Sequence, residues 1–151
     1  MQKITPFLWF NDNAEEAMNL YLSVFKEGRV VNVNRMGDKV FTGTFELFGQ
    51  PYHFLNGGPM FKFTEAISLM VNCETQEEVD EYWAGLLQDG GVEQQCGWLK
   101  DRFGLSWQII PSALGRLMSD PDREKAGMVM QAMLQMKKIE IAGLQKAYDG
   151  L

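Results

Sequence analysis

His53 is the single histidine of the chain, and imidazole is the side chain whose ordinary pKa lets it exchange a proton near neutrality or bind a transition metal through a ring nitrogen. The run Tyr52-His53-Phe54-Leu55 alternates, so a strand there turns His53 and Leu55 to one face and Tyr52 and Phe54 to the other. A general base or ligand and a hydrogen-bonded strand histidine with no catalytic part both fit this pattern. Gln108 is the second candidate. Residues 96–111 read as a hairpin, in which extended pieces at 97–100 and 105–110 flank Asp101-Arg102-Phe103-Gly104, and the glycine supplies the positive φ of a tight reversal. On the second arm Leu105, Trp107 and Ile109 make an apolar face, while Ser106, Gln108 and Ile110 make the other. A lone amide there must find a partner or a ligand. The adjacent carboxylates Glu15-Glu16 and Glu77-Glu78 fall at helix starts, where negative charge suits the helix dipole rather than acid–base work. Cys73 and Cys96 have no metal-ligand spacing and are too few for a disulfide framework, which points to a reducing cytoplasm.

These residues need elements to hold them. Residues 4–10 predict a strand with Thr5, Phe7 and Trp9 on one face. Asn13 with Glu16 is a capping-box pattern, Ala17, Leu20, Tyr21, Val24 and Phe25 fall at helical spacing, and Gly28 ends the helix. Strands follow at 30–36, 40–48 and 51–55, separated by Gly37-Asp38 and Gly49-Gln50. The order then repeats after Asn56-Gly57-Gly58-Pro59. Residues 66–72 alternate, with Ala66, Ser68 and Met70 on one face. Thr75 and Glu78 form a second capping box, and Val79, Tyr82, Trp83, Leu86 and Leu87 take the same five offsets before Gly90-Gly91. A short strand at 92–95 and the hairpin complete a second β-α-β-β-β unit. Letters repeat as well, Phe10-Asn11 against Val71-Asn72 and Phe48-Gly49 against Phe103-Gly104, and such self-similarity is the mark of a duplicated unit. The units span 1–62 and 63–111, and 112–151 reads as helices at 112–118, 123–136 and 139–148. Met128, Met130, Met133 and Met136 suit packing on the sheet or on a second subunit, or lining a substrate pocket.

At 151 residues the chain fits one domain or two small fused units. A formal charge of −6 without a basic stripe argues against nucleic acid or an anionic membrane surface as partner. No apolar run approaches the length of a membrane span, so a cytoplasmic protein is expected. Phosphate loops of the GxGxxG or GxxxxGK[ST] kind are absent.

The tandem units, the opening from Phe10-Asn11 through Glu15-Glu16-Ala17 to Tyr21 and Phe25, the stretch 67–83, and Gly97-Trp98 through Gly104 and Trp107 resemble the vicinal oxygen chelate superfamily of glyoxalase and bleomycin-resistance proteins. Within it the chain is most similar to the PhnB-like branch, whose members often carry the label demethylubiquinone methyltransferase; the tail at 130–139 is similar too. The resemblance implies an α+β fold in which each unit curls into a half-open barrel around a cavity, assembled as a homodimer that covers apolar edges. It also implies a metal held by the first and last strands, which here offer Thr5, His53, Ala66 and Gln108. Alanine cannot ligate, threonine and glutamine are neutral oxygens, and only His53 is a good transition-metal donor; a one-residue slip would bring Glu46 towards the cavity. The expectation is therefore a protein that binds a small, partly apolar molecule without a catalytic metal. Thr5, Phe7, Trp9, His53, Leu55, Ala66, Ser68, Met70, Gln108 and Ile110 line its cavity, His53 and Gln108 sharing it at matched positions of the repeat. A metal-dependent glyoxalase or dioxygenase using His53, and a cavity filled by its own side chains, stand as alternatives. The methyltransferase label finds no support in residues, because the turn Asn11-Asp12-Asn13-Ala14 lacks the glycines that S-adenosylmethionine sites place after their first strand.

Overall fold

In the computed structural model, which describes residues 2–151, the chain forms two units, one ending at Thr64 and one beginning at Glu65. The first holds β1 (Phe7–Phe10), α1 (Ala14–Val24), β2 (Gly28–Met36), β3 (Lys39–Leu47) and β4 (Gln50–Asn56). The second holds β5 (Ser68–Cys73), α2 (Gln76–Leu86), β6 (Val92–Glu93), β7 (Trp98–Lys100), β8 (Ser106–Pro111), and the helices α3 (Ser112–Met118), α4 (Arg123–Leu134) and α5 (Ile141–Asp149). The α+β duplication is present. Each unit carries an open four-stranded mixed sheet, ordered β1-β4-β3-β2 and β5-β8-β7-β6, rather than a closed barrel. In both, the first strand runs parallel to the last and the other pairs are antiparallel.

The first sheet buries Leu8, Phe10, Phe45, Leu47 and Phe54 with Ala17, Met18, Leu20 and Tyr21 of α1. Alternation accounts for this, since the buried positions of β1 and of the end of β3 lie two apart. Three local readings change. Pro6 has no amide to offer the ladder, so β1 starts only at Phe7, while the Pro6 carbonyl still accepts the His53 N–H at 3.0 Å. Asn13 occupies the N-cap of α1 without a side-chain cap bond. Asn56, far along the chain, does that work: its Oδ1 accepts from Ala14 N at 2.9 Å and its Nδ2 donates to the Val40 carbonyl at 3.0 Å. Gly28 opens β2 instead of closing α1, because a Cβ there would stand 2.7 Å from the Glu46 carbonyl oxygen.

In the second unit Val79, Trp83, Leu86, Leu99, Leu105, Trp107 and Ile109 form the core. The Thr75 cap is as expected, its hydroxyl accepting from Glu78 N at 3.2 Å. Met133 and Met136 pack against a helical cluster of Leu114, Leu117, Val129, Ile139 and Leu144, whereas Met128 and Met130 stay exposed. The link between α4 and α5 is clasped by Cys96 N donating to the Met136 carbonyl at 2.8 Å and Gly97 N to that of Lys137 at 2.7 Å. Among the described residues no helix is long and apolar enough to cross a membrane.

Burial, with the Glu78 and Glu74 carboxylates nearby, pushes the Cys73 thiol up to about 12. In the unfolded chain the thiol ionises near 8.5. Above that pH the unfolded state therefore loses a proton that the folded state keeps, and stability falls as pH rises towards 12. Urea midpoints measured from pH 8 upward should descend more steeply for the wild type than for Cys73→Ala; parallel descents would contradict this assignment.

Candidate functional site

One face of the first sheet gathers polar side chains around His53. Phe7 of β1 and Thr44 of β3 stand opposite His53, while Trp9 and Thr42 stand opposite Leu55. The Thr44 hydroxyl and His53 Nδ1 are 2.7 Å apart, which fixes the ring and directs Nε2 away from that contact. The Phe7 ring lies tilted against the imidazole, centroids 5.6 Å apart.

Two bulges shape the neighbouring strands. The register of β2 on β3 runs Arg29–Glu46 and Val30–Phe45 and then jumps to Asn32–Thr44, leaving Val31 as an extra residue. Without it Asn32 would turn towards α1; with it, Asn32 and Asn34 share the face of Thr42 and Thr44, as bulges commonly re-aim side chains. A second jump, from Asn34–Thr42 to Arg35–Val40, leaves Phe41 extra and turns Val40 to the helix side, opposite Arg35, which ordinary alternation after Asn34 places there and which meets Glu15 at 2.8 Å. Asn34 Nδ2 donates to Thr42 Oγ1 at 3.1 Å. The result is a hollow of about 400 Å³ walled by Phe7, Asn32, Asn34, Thr42, Thr44 and His53 and floored by Gly43 and Phe54. His53 is the one titratable side chain in this lining. Glu46 also belongs to this face with no slip of register, and is held by Arg29 at 2.5 Å.

The remaining expected residues are placed differently. Thr5 precedes β1. Trp9 pins the chain after β4, its Nε1 donating to the Gly58 carbonyl at 2.9 Å and its ring meeting the edge of Phe61; neither it nor Leu55 lines the hollow. In the second unit Gln108 Nε2 donates to Ser68 Oγ at 2.9 Å, so the lone amide has a partner. His53 and Gln108 thus belong to different units, and each is hydrogen-bonded within its own. Met70 stands opposite Gln108 and is 54% exposed. Ile110 packs against the C-terminal helical cluster. Ala66 lies in a turn before β5. If Gln108 matches His53, the parallel register makes Met70, not Ser68, the counterpart of Phe7, and the position matched to Thr5 moves from Ala66 to Ser68.

Sequence reasoning missed Asn32, Asn34, Thr42 and Thr44. The period-two run of polar residues at 32 and 34, and again at 42, 44 and 46, was the available signal. Among the described residues no three His, Cys, Asp or Glu side chains gather, and His53 and Gln108 are each engaged with a neutral hydroxyl.

Comparison with known proteins agrees with this architecture. The family model described as 3-demethylubiquinone-9 3-methyltransferase matches residues 2–110, which stops short of α3 and leaves the tail at 130–139 outside. A solved PhnB protein from Bacillus cereus, carrying the same methyltransferase label, is 38% identical, covers 74% of this chain and 100% of its own, and superposes with a TM-score of 0.69. A Pseudomonas aeruginosa protein (20% identity, 74% of this chain and 98% of its own, TM-score 0.63) and a glyoxalase/bleomycin-resistance protein from Albidiferax ferrireducens (14%, 73% and 98%, TM-score 0.53) share the fold. None of the curated proteins compared matches the chain. With duplicated units of one strand order, a family match over both of them and a close PhnB relative, the chain belongs to the PhnB-like family of the glyoxalase/bleomycin-resistance superfamily.

Proposed function

We propose that the protein binds a small, partly apolar molecule on the His53 face of the first sheet, held by ring, hydroxyl and amide groups rather than by a catalytic metal. The observation that carries this is the hollow itself, in which the Thr44–His53 pair and the exposed Phe7 ring face the same space. Apolar walls with a few convergent polar groups are the usual make-up of such sites. The face of the first sheet would act as such a wall, and pairing of two copies would cover the long exposed β2 edge. A glyoxalase- or dioxygenase-type reaction would ask for further anionic or imidazole donors near His53. Methyl transfer, which the family label suggests, would ask for a cofactor turn that the glycine-free β1–α1 connection does not provide.

Thermal denaturation against a metabolite panel, with and without divalent metals, tests the reading. A binder present at about 100 times its Kd stabilises by roughly 2.7 kcal/mol, and His53→Ala should erase most of that gain while the unliganded midpoint barely moves. Stoichiometric metal in untagged protein, lost in His53→Ala, would instead establish the metalloenzyme.

A further inference from the structure

We infer that the ligand of this face is a neutral, polyhydroxylated ring of the monosaccharide class, an inference that rests on the small-molecule reading above. The first reason is charge. No fixed cation lines the hollow; the nearest guanidinium on this face, Arg29, is taken by Glu46, and Arg35 turns to the other side and is taken by Glu15. A carboxylate or phosphate ligand would meet only one imidazole.

The second reason is the kind of polar group present. Asn32, Asn34, Thr42 and Thr44 each both donate and accept, and a sugar hydroxyl is the ligand group that does the same. Their placement on two adjacent strands sets them on a grid of roughly 7 Å along the strand by 5 Å across it, a span that one ring covers. The Val31 bulge exists at the one point that swings both asparagines onto this face. An apolar ligand would cover, without pairing it, the hydrogen-bonding capacity that the Asn34–Thr42 and Thr44–His53 contacts leave over, which disfavours it.

The third reason is Phe7, whose ring is 59% exposed beside the imidazole. Next to a polar grid, a flat apolar ring matches a molecule with hydroxyls around its rim and C–H bonds on its face. Neither group alone would select such a ligand, but together they do.

The test uses the full chain with isotope-labelled side-chain amides, titrated with glucose, N-acetylglucosamine and methyl galactoside, and separately with glucuronate, glucose 6-phosphate and indole. The expected result is saturable shifts of the Asn32 and Asn34 amide signals and of the His53 ring with at least one neutral sugar, with affinity falling about tenfold in Asn34→Ala and in Phe7→Ala. Thr42→Val serves as a further variant should either fold poorly. Response to the anionic sugars or to indole alone overturns the sugar assignment and leaves the small-molecule site standing. Silence from every neutral sugar also overturns it, and silence from the metabolite panel as well removes the parent reading.

Discussion

Replacing Asp101 with alanine is expected to lower stability by about 3–5 kcal/mol, which for a chain of this size is a fall of roughly 6–20 °C in Tm. Asp101 is 2% exposed at the turn between β7 and β8. Its Oδ1 accepts from Phe103 N at 2.9 Å and Leu105 N at 3.0 Å, and its Oδ2 accepts from the indole of Trp107 at 2.9 Å. Hydrogen bonds to an ionised acceptor are about twice as strong as neutral ones, and the Leu105 and Trp107 donors are buried. Truncation leaves three N–H groups without that acceptor, two of them buried. Asp101→Asn should cost about half as much, since one carbonyl oxygen still accepts from the backbone while its NH₂ group confronts the Trp107 N–H. Adding Trp107→Phe to Asp101→Asn should then cost less than the sum of the two singles. Urea denaturation of the wild type and the four variants checks this, and a loss below about 1 kcal/mol in Asp101→Ala would show the clamp to be ornamental.

Gly43→Ala is the second large effect, with an expected loss of about 2–4 kcal/mol. Gly43 lies opposite Phe54 in the middle of the first sheet. A Cβ added there would stand 2.3 Å from the Phe54 ring and 2.8 Å from the Asn32 carbonyl oxygen. Neither obstacle can yield cheaply. Phe54 is fully buried with Phe45 6.2 Å away by centroid, and the carbonyl belongs to the bulged strand that aims Asn32. Strand separation must grow exactly where the candidate site is floored, so the variant should lose ligand response as well as stability. Gly37→Ala offers a control, because its Cβ would meet open space and only its positive φ of 67° is strained. Equal stability of Gly43→Ala and wild type by calorimetry would sink this account of the floor.

The relation between the site and its support is visible in these two positions. Asp101 was readable only as a turn residue and Gly43 only as an interruption of a strand, because each owes its importance to groups brought near by pairing: the indole six residues on in one case and the ring across the ladder in the other. Asn56 is a third instance. As part of Asn56-Gly57-Gly58-Pro59 it signals a chain break, yet folded it caps α1 and ties that corner to β3.

By itself the sequence determined the element order, the duplication and the helix faces, because periodicity and turn chemistry act over a few residues and survive in the letters. The tertiary structure decided what stands beside what. The Val31 bulge brought the two asparagines onto the face of Thr42, Thr44 and His53. The parallel register matched Met70 to Phe7, Ala66 fell in the turn before β5, and Ile110 came to pack against the C-terminal helical cluster. Strand register and bulge position are set by hydrogen bonds between distant segments, and a shift of one residue turns every side chain over, so no local pattern could have specified them.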